Sequence, residues 1–125
     1  MNARSRSGGP RLKFPQALRL RTGRDFGKPK AEGRRVTRGC LALNWLERPD
    51  AAAPRVGVIT SRKIGGAVVR SRARRLLREV FRLHQHELAR TADLVLVARA
   101  SIVGRSLAQV EADYLAALKF GGLLK

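Results

Sequence analysis

One basic amphipathic stretch, residues 62–82, constrains what this chain can fold into more than any other part of it. It reads RKIGGAVVRSRARRLLREVFR and holds eight basic residues against one acidic residue, Glu79. Projected at about 100° per residue, as in an α-helix, its apolar residues gather on one side and most of its arginines on the other. The stretch therefore predicts a helix that buries one side in a core, formed by Val69, Ala73, Leu76, Leu77, Val80, Leu83 and His84.

The other side of this predicted helix presents positive charge to solvent. It carries five arginines, Arg70, Arg74, Arg75, Arg78 and Arg82. The planar guanidinium fork suits phosphate oxygens, and a rigid helix holds several forks in a fixed array. A charged face that is merely solvated is the usual alternative, but here scarcely any acidic residue compensates the arginines. The pattern favours a polyanionic partner, and by itself it does not distinguish RNA from DNA.

The charge of the whole chain supports a nucleic-acid partner. Its 125 residues suffice for one domain, and 27 Lys and Arg against 9 Asp and Glu leave a net charge of +18. Such an excess repels itself in the compact state, so we expect a nucleic acid to neutralise it. No apolar run approaches the length of a spanning helix, and the start, MNARSRSGGPR, lacks the apolar segment of a secretory signal. We expect a cytoplasmic protein that binds no membrane.

The chain divides into three parts by composition. Residues 1–17 are basic and rich in Gly and Pro, which predicts a flexible arm. Residues 18–120 would form a single α+β domain. Gly121 and Gly122 end the last predicted helix, so 121–125 is expected to be a C-terminal tail.

Within the domain, periodicity predicts helices and strands in a definite order. A short helix opens with Thr22 as its cap, and 33–38 is expected to be a loop. Strands are predicted at 40–46, at 55–60, antiparallel to the first, and at 93–99, buried on both faces and therefore central or parallel in the sheet. The basic helix should run over 67–88, and a last helix should begin with a capping box at Ser106 and Gln109. These elements predict a two-layer α+β sandwich with helices packed on a mostly antiparallel sheet.

Side chains for catalysis are scarce. The two histidines, His84 and His86, are two residues apart on a helix and point in different directions, so they cannot grip one metal together. A single cysteine, Cys40, excludes an intramolecular disulfide and a cysteine-based metal site, and its apolar surroundings predict a small buried hydrophobe. Gly65 and Gly66 allow a phosphate to approach a helix N-terminus, although an ordinary turn accounts for them equally well. We expect no catalytic residue and no metal ligand.

The segment SRKIGGAVVRSRARRLLREVFR, from Ser61 to Arg82, resembles the signature of the protein component of bacterial ribonuclease P. That family shows the pattern K-I/V-G-N-A-V-x-R-N-R-x-K/R-R-L-x-R-E. The resemblance extends over about 18–118, because RVGVITSRK before the helix and ADLVLVAR after it also fit the family. This chain departs from the pattern at Gly66 and Ser71, where the family usually has Asn. The resemblance adds an unusual left-handed crossover through the basic helix to the expected fold.

Two sets of site residues are implied by this resemblance. Arg70, Ser71 and Arg72 occupy the RNR positions that contact the catalytic RNA in the family, and other basic positions of that surface match Arg62, Lys63, Arg74, Arg75 and Arg78. The family also holds the single-stranded 5′ leader of precursor tRNA in a cleft between its first helix and the sheet, against aromatic rings. Phe26 matches the first of these aromatics, and Lys30 stands where a second commonly follows. The strand aromatic falls near Asn44, with Trp45 next to it.

By resemblance, the chain is the protein subunit of a ribonucleoprotein endonuclease that removes the 5′ leader of precursor tRNA. Its partners would be the catalytic ribonuclease P RNA and precursor tRNA, with no small-molecule substrate. The RNA would carry out hydrolysis with bound Mg²⁺, and the protein would supply no catalytic side chain and bind no cofactor of its own. A ribosomal protein with a structural role and a stand-alone nuclease are the alternatives, and the scarcity of catalytic groups speaks against the nuclease.

Overall fold

The computed structural model describes residues 19–20 and 23–125. The predicted arm at 1–17 and the predicted cap Thr22 lie outside these residues. Short 3₁₀ turns at Arg62–Ile64, Gln85–Glu87 and Ala100–Ile102 accompany the longer elements. The helices and strands are α1 (Gly23–Glu32), β1 (Arg34–Arg38), β2 (Leu41–Glu47), β3 (Arg55–Ile59), α2 (Ala67–His84), β4 (Ala92–Ala98) and α3 (Leu107–Phe120).

The four strands form one sheet in the order β1-β2-β4-β3. β4 is central, antiparallel to β2 and parallel to β3, so the prediction of a buried central strand is confirmed. β3 does run antiparallel to β2, as predicted, but β4 lies between them and the two are not neighbours. The parallel pair β3 and β4 is joined through α2. Helices on a mostly antiparallel sheet give the α+β class that the sequence predicts.

The prediction of a loop at 33–38 is wrong, because Arg34–Arg38 is the edge strand β1. It pairs antiparallel with β2, from Arg34 opposite Trp45 to Arg38 opposite Leu41. Only Val36 is buried in it, and its arginines are exposed. One apolar residue among cations leaves too weak an alternation to be recognised in the sequence. The same charges suit an edge strand, because they discourage pairing with another chain.

The main core lies between one face of the sheet and helices α2 and α3. The sheet contributes alternate residues of its strands, among them Leu43, Leu94 and Leu96, which are fully buried. From α2 the fully buried residues are Leu77, Val80 and Phe81, and from α3 they are Val110, Tyr114, Ala117 and Leu118.

The buried stripe of α2 differs in part from the predicted one. Ala73, Leu77 and Val80 are buried as expected, whereas Val69, Leu76 and Leu83 are only half buried. Phe81, which the sequence analysis did not place in the core, is fully buried. It follows Leu77 by four residues and therefore lies directly beside it on the same side of the helix. The buried side of α2 is therefore centred closer to Phe81 than predicted, and the exposed side is shifted around the helix by the same angle.

The two ends of α3 follow the sequence closely. Ser106 Oγ accepts a hydrogen bond from the Gln109 backbone N–H at 3.2 Å, and the Ser106 N–H donates to Gln109 Oε1 at 2.9 Å, so the capping box is confirmed. The helix ends before Gly121, and Gly122 has a positive φ of 73°. The segment 121–125, predicted as a tail, is packed against the domain. Leu123 is buried there, and its carbonyl accepts a 2.7 Å hydrogen bond from the Ala89 N–H.

One buried carboxylate ties the sheet together near the start of β4. Asp93 is 2% exposed, and both of its oxygens accept hydrogen bonds from Arg55 on β3, at 2.9 and 2.8 Å. Arg48, just after β2, donates a further bond at 2.8 Å. A buried charge is tolerated only when it is paired in this way. Asp93 therefore fixes β3 and the end of β2 to the central strand.

A histidine bridge joins the end of α2 to α3. The helix stops at His84, earlier than the predicted residue 88, and continues as a 3₁₀ turn. His84 Nδ1 lies 2.5 Å from Glu87 Oε2, and its Nε2 lies 2.6 Å from Glu111 Oε2 on α3. Burial by itself lowers the pKa of His84, but the hydrogen bonds with Glu111 and Glu87 outweigh it and raise the pKa above its ordinary value.

The histidine bridge predicts a pH-dependent stability. The pKa of His84 is higher in the folded state than in the unfolded state, where it is about 6.5. The stabilisation by His84 is therefore fully present when the pH is below the unfolded-state pKa, and it is lost as the pH rises through the folded-state pKa. We expect His84→Gln to lower the free energy of unfolding by about 1–2 kcal/mol at pH 5.5 and by much less at pH 8.5. Urea unfolding at both pH values measures this. His86→Gln, at an exposed neighbouring position, is the control, and an equal loss at both pH values contradicts the bridge.

Candidate nucleic-acid interface

The arginine side of α2 lines an open groove of about 410 Å³. Residues 71, 74, 75, 78 and 82 recur at helical spacing and therefore lie on one face of the helix. Glu79 is the one acidic residue among the lining side chains. The remaining lining side chains are Arg19, Ser71, Arg74, Arg75, Arg78 and Arg82. We call this surface the arginine groove.

Protein contacts orient some of these guanidiniums and leave others facing solvent. Arg74 donates to Thr60 Oγ1 at 2.8 Å and to Ser71 Oγ at 3.1 Å, which fixes its position. Arg82 forms an ion pair with Glu79 at 2.7 Å. Arg75 and Arg78 are exposed. The groove thus combines anchored cations with cations that can reach a ligand.

Like charges are crowded where the groove meets Arg19. Partial burial of the largely exposed Arg78, followed by the neighbouring charges of Arg19 and Arg74, lowers the pKa of its guanidinium. These three guanidiniums therefore repel one another in the protein alone. A phosphate group between them would relieve this repulsion and accept hydrogen bonds from their planar forks.

The remaining basic residues predicted from the RNR pattern do not line the arginine groove. Arg72 is exposed and donates to the Arg105 carbonyl at 2.8 Å, on a different side of α2 from Ser71. Arg70 is half buried, and its Nε has no hydrogen-bond partner among the described residues. Successive helical residues are about 100° apart, so three consecutive positions cannot share one face. Arg62 and Lys63 are exposed in the 3₁₀ turn before α2.

The turn before α2 contains two glycines with different requirements. Gly65 has a positive φ of 147°, and a Cβ there would lie 3.0 Å from Val69 Cβ, so the backbone needs glycine. Gly66 has φ −76°, and a Cβ there would meet nothing within 4 Å. The Asn that the family pattern shows at position 66 would therefore fit this backbone. No side chain caps the N-terminus of α2 at Gly66.

A second pocket, of about 240 Å³, lies beside α1 and the outer strand β3. The Phe26 ring from α1 lies directly over Gly57, and a Cβ at that position would overlap the ring. Arg19 and Arg78 also line this pocket, which we call the Phe26 pocket. Its other lining residues are Leu20, Val56, Gly57 and Val58. An aromatic face beside two cations is a surface on which an unpaired base can stack.

The other residues predicted for the leader cleft are separated by the sheet. Asn44 pairs with Val95, and Val95 pairs with Gly57, so Asn44 shares the sheet face of the Phe26 pocket. It is buried, and its Nδ2 has no partner among the described residues. Trp45 projects to the opposite face, because adjacent strand residues alternate. Its buried ring packs near Gly121 at the end of α3, so the placement of Trp45 in this cleft is wrong.

The arginine groove and the Phe26 pocket are continuous, because Arg19 and Arg78 line both. The segment before α1 makes this possible. Arg19 forms a parallel bridge with Val56, and the Leu20 N–H donates to the Val56 carbonyl at 2.9 Å, so this segment covers the edge of β3.

Two residues of this junction were missed in the sequence. Arg19 stands in the alternating series Leu18-Arg19-Leu20-Arg21, which is typical of a strand. This alternation was overlooked because the neighbouring N-terminal residues are also basic. Gly57 interrupts a strand of branched residues, and a glycine there often marks the close approach of another group.

The described residues contain no cluster of three His, Cys, Asp or Glu side chains that could hold a metal ion. Cys40 is buried, as predicted, and burial together with Asp113 raises the pKa of its thiol to about 11. Asp113 Oδ2 also accepts a 2.9 Å hydrogen bond from the Cys40 N–H, so the thiol and the carboxylate serve the packing of α3 on the sheet.

Comparison with known proteins identifies the family. A sequence model of the Ribonuclease P family matches residues 14–120. The chain belongs to the ribonuclease P protein family. The ribonuclease P protein component of Syntrophomonas wolfei is 38% identical over 105 residues, covering 84% of this chain and 87% of that protein. The component of Desulfovibrio desulfuricans is 40% identical over 113 residues, covering 87% and 86%.

Solved ribonuclease P proteins share the fold. The protein from Thermotoga maritima superposes with a TM-score of 0.73 at 25% identity, covering 82% of this chain and 96% of that one. The protein from Staphylococcus aureus superposes with a TM-score of 0.79 at 23% identity, covering 88% and 100%. Membership in the ribonuclease P family makes this chain the protein component of a ribonuclease and implies a role in tRNA 5′ processing with an RNA partner.

The arginine groove predicts a defined salt dependence of RNA binding by this ribonuclease P protein. Each arginine that contacts a phosphate releases counterions, so removing one should reduce the slope of log K against log salt by about 1. We expect Arg75→Ala to weaken binding to a bacterial ribonuclease P RNA several-fold at low salt and to reduce the slope by about 1. The double variant Arg75→Ala/Arg78→Ala should reduce the slope by about 2. Filter binding over a series of NaCl concentrations measures both quantities. Arg90→Ala is the control, since Arg90 is also exposed but lies outside the groove and pairs with Glu47. The groove assignment fails if this control has the same effect.

Proposed function

We propose that this protein binds the catalytic ribonuclease P RNA through the arginine groove and the 5′ leader of precursor tRNA in the Phe26 pocket. In this way it promotes endonucleolytic removal of the leader. The observation that carries the proposal is the junction of groove and pocket, where Arg19 and Arg78 line both surfaces. A single strand that leaves the folded RNA along the groove would enter the Phe26 pocket without crossing an uncharged surface.

The main role of the groove would be electrostatic. Two RNAs that meet in one complex repel each other through their phosphates, and cations fixed between them reduce this repulsion. Arg74 and Arg82 are held by side-chain contacts, so their order costs little entropy on binding. The basic residues before α2, Arg62 and Lys63, would extend the same cationic surface, as would Arg70 and Arg72 on its other flank.

The Phe26 pocket would hold the leader without reading its sequence. Every base has a π face that can stack on Phe26, and the nearby guanidiniums suit the phosphates on either side. The strand aromatic of the family falls near Asn44, which is buried on the same sheet face and does not line the pocket, so Phe26 is the only ring among the described residues that line it. Charge should therefore contribute more to leader binding here than stacking does.

Hydrolysis in this proposal belongs to the RNA subunit, with Mg²⁺ bound there and no catalytic side chain from this chain. The protein would bind no cofactor or small-molecule substrate of its own. In the described part of the chain, none of the helices has the length and apolarity needed to cross a bilayer. We place the complex in the cytoplasm, where precursor tRNA is made.

Reconstitution with a ribonuclease P RNA tests the proposal. The purified protein, added to a bacterial ribonuclease P RNA at low Mg²⁺, should give 5′ processing of precursor tRNA where the RNA alone is nearly inactive, because fixed cations replace part of the screening by Mg²⁺. Gel analysis of a 5′-labelled precursor measures cleavage. Cleavage by the protein without RNA would show a stand-alone nuclease. Binding to RNA without a preference for precursor over mature tRNA in the complex would indicate a structural RNA-binding protein.

The Phe26 pocket is tested separately by Phe26→Ala. Stacking on an aromatic ring contributes about 1–3 kcal/mol per base, so we expect at least a fivefold loss of affinity for leader-bearing precursor tRNA in the reconstituted complex. Affinity for mature tRNA and for the catalytic RNA should stay within about twofold. Phe120→Ala is the matched control, because Phe120 is 67% exposed at the far end of α3. Equal losses for precursor and mature tRNA would place Phe26 in general folding or RNA binding.

A further inference from the structure

Two valines form an exposed apolar site at the start of α2. Val68 is 84% exposed and Val103, just after the 3₁₀ turn Ala100–Ile102, is 50% exposed. Both line one pocket of about 210 Å³, which we call the valine pocket. Ala73 and Ile102, which are 3% and 1% exposed, also line it and connect it to the core. Exposed large apolar side chains are few in the described part of the chain, so a pair on one pocket suggests a ligand.

A cation, Arg72, lies at the rim of the valine pocket. Arg72 lines it and donates to the Arg105 carbonyl at 2.8 Å, and Arg105 in turn donates to the Ser101 carbonyl at 3.2 Å. The bond to the Arg105 carbonyl holds the Arg72 guanidinium beside the pocket. None of the described residues that line it is acidic. The site therefore combines apolar walls with positive charge at the edge.

We propose that the valine pocket seats one unpaired nucleobase of the RNA partner, with Arg72 binding a phosphate beside it. A base has flat apolar faces and a phosphate on either side, which matches apolar walls under a cationic rim. The size also fits, since about 210 Å³ is below the usual range of about 300–1,000 Å³ for drug-sized ligands. This inference rests on the proposed function, because it takes RNA as the partner.

A second copy of the chain fits this pocket poorly. Each copy has a net charge of +18, so two would repel each other near the arginines. Stable dimers also bury about 800 Å² per partner, far more than a pocket bounded by two exposed valines offers.

The valine pocket is separate from the arginine groove and the Phe26 pocket. Its helical residues are Val68, Val69, Arg72 and Ala73, whereas the groove uses Ser71, Arg74 and Arg78. Helix α2 would then touch RNA along two sides, by phosphate contacts in the groove and by a base contact at its start. The two kinds of contact differ in salt dependence, because only the phosphate contacts release counterions.

The test compares Val68→Ser/Val103→Ser with the wild type in binding to a bacterial ribonuclease P RNA over a range of NaCl concentrations. We expect about a fivefold loss of affinity at every concentration with an unchanged salt slope, because apolar contact is removed and no charge is. Phe120→Ser, a similarly exposed apolar position outside the pocket, should bind like the wild type. Both valines are exposed, so the double variant should retain its thermal melting curve.

A second measurement needs no substitution. With hexa-adenylate RNA, the methyl resonances of Val68 and Val103 in ¹³C-labelled protein should shift by the ring current of a stacked base, and inorganic polyphosphate should leave them in place. Equal RNA affinities of variant and wild type, or methyl groups unmoved by hexa-adenylate, would overturn the proposal while leaving the ribonuclease P role intact. A wild type that sediments as a dimer and a double variant that is a monomer would show self-association instead. A wild type that binds no ribonuclease P RNA would overturn the proposed function as well.

Discussion

The burial of one side of α2 against the sheet is the contact on which the rest of the structure depends. Leu77, Val80 and Phe81 are fully buried there, and each such side chain contributes about 1.5–3 kcal/mol relative to exposure. With that side fixed, the helix cannot rotate, so the arginines opposite are held outward as a set. The central strand β4 supplies much of the surface that receives α2, and Asp93 pins β3 beside it. The position of the arginine groove thus follows from apolar packing.

This arrangement keeps repulsive cations together in the protein alone. Partial burial and the charges of Arg19 and Arg74 lower the pKa of Arg78, and the fold tolerates this repulsion because its apolar core offsets the cost. In the proposed complex, phosphate groups would remove this repulsion, so part of the binding free energy would come from relief of a cost already present in the free protein. A protein of this kind is best understood as one half of a charge-balanced complex.

Much of the fold follows from local patterns in the sequence, and the failures lie where distant segments meet. Helical periodicity located α2, the capping box located α3, and a continuous apolar run identified β4 as central. Periodicity does not reveal that β4 lies between β2 and β3, since strand order is decided by packing over the whole chain. It also missed β1, which has one buried residue. The placement of Trp45 beside Phe26 came from the family resemblance, whereas strand alternation puts Trp45 and Asn44 on opposite faces. The arginines of α2 could be predicted as a set, whereas their division between two surfaces and the role of Arg19 required the folded chain.

The glycine at position 57 has a consequence for how this family member can vary. The Phe26 ring occupies the space that a side chain at position 57 would fill. The absence of a Cβ at Gly57 therefore allows α1 to approach β3 at the Phe26 pocket. A methyl group added at position 57 would displace the Phe26 ring from β3 and change the shape of the Phe26 pocket. Positions 26 and 57 are therefore sterically coupled. A larger residue at one position is compatible only with a smaller residue at the other.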